Sequence, residues 1–418
     1  MGRYGMPRKA ALAMIALVLV AASVADTKGG LPFELSKPAA WTLTRTYRVS
    51  NNGTYPILSL NISIFVMGNY LPQQLVRPVG LTPSHQSTET DRHGNVIAKF
   101  QFRNVIPGAF AELQAIDAVQ VYPISYRIDP SNVPQYDVTQ DLYREYTSPQ
   151  RLIESDSEEI KAKAAEVTGS ETNPYLKARK VYDFVKSYLS SEENHEEYGA
   201  LWALRNGKGD CSEFSKLFVA MCRASSLPSR VVHGYAESSQ GKRGGHGWAE
   251  VYFQNCGWIP ADPMFGKTGK EYFGSIDNTH IIVAKGLSVA SWNWTYSYVK
   301  DRKPAPISNS TFTFEARPLG QDKSSISCFV SKGQVKLGEL VNVSGFVSPP
   351  HAGAPVILTY RKPSGFTFTR ITLSSADGAF VDAYAPDVPG EWSVSASWYG
   401  SIDYAEASSP ATVFTVSQ

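Results

Sequence analysis

The sequence predicts a multidomain α+β protein: an N-terminal β-sandwich, an α+β core and a C-terminal β-sandwich. Three observations carry this expectation. Short runs between Trp41 and Ile128 alternate apolar and polar residues, the period of a half-buried strand. From about Ser148 the apolar spacing changes to three and four, the period of a helix. From Ser325 the alternation returns. The 418 residues leave room for several domains. With 43% hydrophobic and 19% charged residues, the composition is globular.

Residues 1–25 carry the pattern of an export signal. Arg3, Arg8 and Lys9 form a basic start, Ala10 to Ala22 is an uncharged apolar run, and Ser23, Val24 and Ala25 set up cleavage after Ala25. The run falls short of the roughly 20 apolar residues of a spanning helix, with an uncleaved anchor as the alternative. The expected location is therefore extracytoplasmic, secreted or held at the cell surface. Asn52, Asn61, Asn293, Asn309 and Asn342 open N-x-Ser/Thr sequons, which are glycan acceptors in an exported chain. Asp26 to Pro38, punctuated by Gly and Pro, reads as a linker.

The first sandwich is expected over residues 39–147. Its strands include Thr42–Thr44, Tyr55–Val66, Val96–Phe102 and Val119–Ile128, separated by turn pairs such as Asn52-Gly53, Gly94-Asn95 and Pro107-Gly108. The core is expected over 148–303. Ser155 and Asp156 can cap a helix from Ser157 to Val167, and Asn173-Pro174 opens another, with Leu176, Val181, Phe184, Val185 and Leu189 on its apolar face. Pro304 and Pro306 mark the next boundary. The second sandwich, over 320–418, has strands near Val341–Ser344, Val356–Tyr360, Phe366–Leu373, Phe380–Tyr384 and Trp392–Trp398.

Acidic and basic residues nearly balance at a net charge of +2, and the basic ones are scattered, so nothing points to a nucleic-acid partner. The four cysteines, Cys211, Cys222, Cys256 and Cys328, are too irregularly spaced for a disulfide framework. On one helix Cys211 and Cys222 lie about 16 Å apart, beyond the roughly 7 Å a disulfide spans. The three besides Cys211 read as small buried hydrophobes.

Cys211 differs from them in its setting. Gly207-Lys208-Gly209-Asp210 delivers it to the start of a helix carrying Phe214, Leu217, Phe218, Met221 and Ala224. Unpaired N–H groups and the helix dipole at such an end favour the thiolate that a nucleophile needs. Arg230 to Tyr235 reads as a strand, Gly241 to Gly245 as a flexible loop, and His246 as the start of a second strand to Phe253. Asn255-Cys256-Gly257 turns the chain into a third strand, Trp258 to Ala261, which Asp262-Pro263 closes. Antiparallel pairing then brings His246 and Asp262 to one end of the sheet. There the imidazole partners the thiol and the carboxylate orients the imidazole.

The order Cys, His, Asp, with Gly-Asp-Cys on a helix, His-x-Trp on a strand and Gly-Trp-x-x-x-Asp-Pro on the next, resembles the papain-like α+β core of the transglutaminase-like superfamily. Leu227-Pro228-Ser229-Arg230-Val231-Val232-x-Gly234-Tyr235 resembles that family's intervening segment. The resemblance covers about residues 199 to 266. It implies Cys211 as nucleophile, His246 as base and acid, and Asp262 as orienter. It also implies attack on a protein or peptide amide through a thioester that water or an amine resolves. No metal or organic cofactor is implied. The Cys211 N–H is the natural oxyanion donor, with Trp202 and Tyr198 as candidates for a second. The C-terminal sandwich resembles immunoglobulin-like modules of surface proteins and suggests cell-surface or wall association. The competing reading is a catalytically retired surface or adhesion protein on the same scaffold.

Other features weigh toward structure. Trp248 and Trp258 fit a substrate cleft or a core equally well. His233 and His280 read as satisfied strand histidines. Glu192, Glu193, His195, Glu196 and Glu197 read as a solvated acidic run. Residues Gly241 to Gly245 read as a mobile loop rather than an anion grip.

Overall fold

The structure, a computed structural model, describes residues 33–193, 196–289 and 292–418. The expected signal at 1–25, and His195, lie outside the described residues. The chain is mostly β, with a group of helices between two β-rich regions. Among the described residues no helix is long and apolar enough to cross a membrane.

The first β region contains β1 (Ala39–Asn51), β2 (Ile57–Val66), β3 (Gln74–Thr82), β4 (Ser87–Thr90), β5 (Val96–Val105) and β6 (Phe110–Val121). Alternation in β1 sends Leu43, Arg45, Tyr47 and Val49 inward. These strands form two four-stranded sheets. Tyr47 and Val49 of one sheet meet Ile57, Leu60, Ile62 and Phe100 of the other in a single apolar cluster. Each sheet takes its last strand from beyond the helical region. Pro306–Arg317 pairs with β1 and Asn293–Ser297 with β2. The prolines near 304 therefore do not end this half of the molecule, and the expected boundary at 303 is not a sheet boundary. The expected linker also holds a short strand, Phe33–Leu35, paired with Ile124–Tyr126.

The α+β region holds α1 (Glu158–Thr168), α2 (Pro174–Tyr188) and α3 (Cys211–Ala224), with β7 (Ser229–Glu237), β8 (Arg243–Phe253), β9 (Gly257–Ala261) and β10 (Ile281–Lys285). The N-cap of α1 is Ser157, not Ser155 or Asp156. Asn173 caps α2 as expected, its side chain accepting from the N–H groups of Tyr175 and Leu176. The face α2 buries is Ala178, Val181, Tyr182 and Val185, while Leu176 is exposed. The sheet runs β9-β8-β7-β10, and α3 packs on it.

Helix α3 is buried on every side from Glu213 to Arg223, so it is a central helix rather than an amphipathic one. Phe214, Leu217, Phe218 and Met221 are fully buried. Burial of such side chains contributes ~1.5–3 kcal/mol each, which fixes the helix and the cysteine at its start. The charges it carries inward are partnered. Lys216 Nζ donates to Glu197 Oε2 and the Tyr198 carbonyl, both at 2.9 Å, and Arg223 donates to the Ser229 and Ser148 carbonyls.

The first β region buttresses the core sheet through side-chain amides. Gln74 exchanges two hydrogen bonds with the backbone of Ile282, at 2.7 and 2.9 Å. Asn95 does the same for Lys285, at 2.8 and 2.9 Å. These amides substitute for a neighbouring strand along the outer edge of β10 and keep its backbone groups satisfied. The C-terminal region has a separate core built around Trp392, Trp398, Val343, Leu358 and Phe414. Its Ile371 reaches a cluster that also contains Trp248 and Ile282.

Candidate active site

Three elements converge on Cys211. The first is the start of α3. Asp210 is the N-cap, accepting from the Ser212 N–H at 2.7 Å, while Glu213 Oε2 accepts from the Asp210 N–H at 3.0 Å. This reciprocal capping box ties down the turn that carries the cysteine. It also explains the glycine before Asp210. A Cβ at Gly209 would lie 2.3 Å from the Cβ of Glu213. Cys211 is half-buried and lines a cleft of about 390 Å³ together with Asp210, His246, Met264, Phe265 and Glu193.

The second element is β8, which begins at Arg243, so His246 sits inside the strand and not at its start. Gly244 and Gly245 are paired with Ala236 and Tyr235, so the expected flexible loop contracts to the turn around Gly241. Gly234 lies opposite His246, where β7 meets β10. A Cβ there would stand 1.8 Å from the Ile281 carbonyl oxygen, which is why this strand carries glycine.

The third element is β9. Ala249 pairs with Ala261, so Asp262 emerges on the His246 side of the sheet. His246 Nε2 donates to Asp262 Oδ2 at 2.6 Å, with both side chains nearly inaccessible. The other ring nitrogen is left for Cys211, which lines the same cleft and supports the charged form of the ring. Burial works against a charged His246, but the Asp262 carboxylate, aided by Cys211, outweighs it and raises the imidazole to about 10. Asp262 is held well below the usual carboxylate range: burial opposes this, and His246 followed by His280 overcomes it. Asp262 Oδ1 accepts from the Phe265 N–H at 2.9 Å, and the Phe265 ring lies 4.3 Å from that of His246. The structure thus brings together all three residues picked from the sequence.

It also moves His280 from the strand expected for it to the loop before β10, and adds Asp277 and Tyr272, which carried no sequence expectation. His280 precedes β10 and is fully buried. Its Nε2 reaches Asp262 Oδ2 at 3.3 Å and its Nδ1 reaches Asp277 Oδ1 at 2.8 Å. Asp277 in turn accepts from the Tyr272 hydroxyl at 2.7 Å and from the Thr279 N–H and hydroxyl at 2.9 and 2.7 Å. The carbonyl of Asn278 accepts from Trp41 Nε1 of the first β region at 2.8 Å, which steadies this loop. The spacing Asp277-x-x-His280 was the local signal for it.

His246, Asp262 and His280 offer three ligand atoms within 4.8 Å of one another. At 2.6 Å, His246 and Asp262 are at hydrogen-bond distance, whereas ligands on one tetrahedral zinc stand about 3.3 Å apart. The arrangement fits shared protons better than a cation.

Trp248 is core, edge-on to His280 at 5.1 Å. Trp258 is half-buried under the Arg230 guanidinium, 3.9 Å away. Tyr198 and Trp202 stack on each other at 4.0 Å and are not among the residues lining the cleft. His233 is held below its ordinary value, to about 4, by burial, and its Nε2 meets the Leu287 carbonyl at 3.0 Å. The acidic run is partly ion-paired rather than simply solvated, Glu192 to Lys208 at 2.8 Å and Glu197 to Lys216. All four cysteines are free.

Comparison with known proteins gives three likenesses. Residues 161–263 match the transglutaminase-like superfamily. The uncharacterized protein YebA of Bacillus subtilis (strain 168) is 28% identical over 157 residues, 32% of this chain and 21% of YebA. The matched part thus spans about a fifth of that relative's length. The crystal structure of a protein from Cytophaga hutchinsonii, described as a candidate cysteine protease, is 16% identical and superposes with a TM-score of 0.51 over 68% of this chain and 92% of that one. At that identity the likeness is one of fold. Residues 161–263 thus form a transglutaminase-like domain within this chain.

Proposed function

We propose that the chain is an exported thiol enzyme that attacks protein or peptide amide bonds through Cys211, His246 and Asp262. The observation that carries the reading is the 2.6 Å His246–Asp262 hydrogen bond in the wall of a cleft that Cys211 shares. A buried acid orienting a ring whose other nitrogen meets a thiol is the arrangement that nucleophilic acyl transfer needs. The likeness in fold to a candidate cysteine protease supports it.

In this reading the Cys211 sulfur adds to the amide carbonyl. As the first residue of α3, Cys211 has an N–H ahead of the intrahelical ladder, free to donate to the developing oxyanion. His246 gives its proton to the leaving amine as the C–N bond breaks, leaving a thioester. Water or a second amine then attacks the thioester, His246 takes the proton from it, and the thiolate departs. The product is an acid in the first case and a new amide in the second. Hydrolysis is the favoured outcome because water is abundant outside the cell. The basic, apolar and small-residue pattern of residues 3–25 supports export. We assign the flanking β regions as an N-terminal β-sandwich and a C-terminal immunoglobulin-like sandwich, the latter a means of cell-surface or wall association.

The test is incubation of wild type and Cys211→Ala with unfolded casein, with and without a fluorescent primary amine. The expected result is Cys211-dependent cleavage or amine incorporation, with both proteins melting alike. Full activity in Cys211→Ala overturns the mechanism.

A further inference from the structure

We propose that His280 is a positioning residue: a buried imidazolium, held between Asp262 and Asp277, that fixes the Asp262 carboxylate against His246 and, as a fixed positive charge, eases loss of the first proton from the Cys211–His246 pair. The proposal rests on the thiol-enzyme reading above.

Both ring nitrogens of His280 face carboxylate oxygens, Nδ1 toward Asp277 and Nε2 toward Asp262. A carboxylate only accepts, so each nitrogen must carry a proton and the ring is cationic. Asp277 has no spare proton to offer, since Tyr272 and Thr279 already donate to it. The titratable groups facing His280 are Asp262, Asp277, His246 and Tyr272, with the last two rings 5.5 and 5.8 Å away. Trp248 and Phe265, each at 5.1 Å, close the remaining sides. Burial opposes a charged ring, and the two carboxylates reverse that, so His280 titrates above its ordinary value.

A cation in this place has two consequences. Asp262 Oδ2 accepts from two rings while Oδ1 accepts from the Phe265 N–H, so the carboxylate cannot rotate away from His246. The positive charge also makes loss of the first proton from the Cys211–His246 pair easier. Packing alone requires neither effect, because an apolar ring would fill the space between Trp248 and Phe265.

The experiment is the rate of Cys211 alkylation by iodoacetamide against pH, in wild type and in His280→Gln, which keeps a donor toward Asp262 but not the charge. Removing a positive charge raises the pH at which a neighbouring proton leaves. The acid limb of the profile should therefore move up by about one pH unit, roughly tenfold slower alkylation at a fixed pH on that limb. A purely structural role would lower the melting temperature and leave the limb in place. A folded His280→Gln with the wild-type limb overturns this proposal alone. A wild type with no reactivity on the acid side of neutrality overturns the thiol-enzyme reading and this proposal with it. Should the variant not fold, assigned ¹⁵N spectra of the wild-type protein decide. Two protonated ring nitrogens on His280 at about pH 8 support the proposal, and a neutral ring overturns it.

Discussion

Replacing Asp262 with Asn keeps the shape of the side chain and removes the charge on which the site is built. The carboxylate is 1% exposed and accepts from His246, His280 and the Phe265 N–H. It is the main influence lifting His246 to about 10 against burial. A ring raised that far is charged at pH 7. Without the carboxylate only Cys211 is left to oppose burial, so the charged ring loses its main support. The stability consequence has a defined pH window. The raised His246 contributes fully below about 6.5 and loses its contribution as pH rises through the folded value. The lowered Asp262 contributes above about pH 4 and loses its contribution as pH falls toward its folded value. Both contributions are complete between those limits. Removing one partner of a buried pair costs roughly 3–5 kcal/mol. At about 2–4 °C per kcal/mol for a domain of this size, the core should melt on the order of 10 °C lower. Calorimetry of wild type and Asp262→Asn at about pH 6 and about pH 10 measures it. The gap should be wide at the lower pH and narrow at the higher. An equal gap at both, or none, would mean that the Asp262 charge does not stabilise the core through His246.

Two glycines give further predictions. Gly209→Ala sets a methyl against Glu213 and opens the capping box, so it should cost about 1–2 kcal/mol and slow Cys211 alkylation by displacing the turn beneath it, read by denaturant melts and alkylation rates. Gly234→Ala drives a Cβ into the Ile281 carbonyl and should cost roughly 3 kcal/mol or more, with a drop in soluble yield, whereas Gly245→Ala, where a Cβ would meet open space, should fold like wild type. A Gly234→Ala protein as stable as wild type would contradict the close strand crossing behind His246.

The parts of the site that the sequence disclosed are those whose signals are local. Asp210-Cys211 opens a helix, Asn255-Cys256-Gly257 forces a turn, and strand alternation then fixes which end of the sheet His246 and Asp262 share. His280 was read as a strand histidine because its decisive partner, Asp262, is 18 positions away along the chain and no periodicity connects them. Trp248 stayed open between cleft and core because an aromatic ring suits both, and only the packing of His280 and Ile282 around it decides for the core. Gly244 and Gly245 looked like a loop because glycine weakens a strand's own preference, yet the pairing with Ala236 and Tyr235 overrides it. The return of residues 293–317 to the first β region was hidden for a different reason. Pro306–Arg317 is a mostly exposed edge strand whose partner, β1, lies more than 250 residues earlier. The turn-forming prolines before it looked like a boundary.

These long-range contacts also give the first β region a part in the site. Gln74 and Asn95 seal the edge of β10, and Trp41 holds the loop that carries Asp277 and His280. The core sheet is thus braced at the end where Asp262 lies.

If His246 and Asp262 hold Cys211 poised, its thiol should react ahead of the other three cysteines. Brief iodoacetamide treatment of the purified protein across about pH 5 to 9, with mass spectrometry of the adduct at each cysteine, tests it most directly. Cys211 should be alkylated selectively on the acid side of neutrality, and the selectivity should be lost in His246→Ala, while Cys222, Cys256 and Cys328 react slowly, as their burial and raised values require. Uniform, slow reaction of all four cysteines, unchanged in His246→Ala, would contradict it.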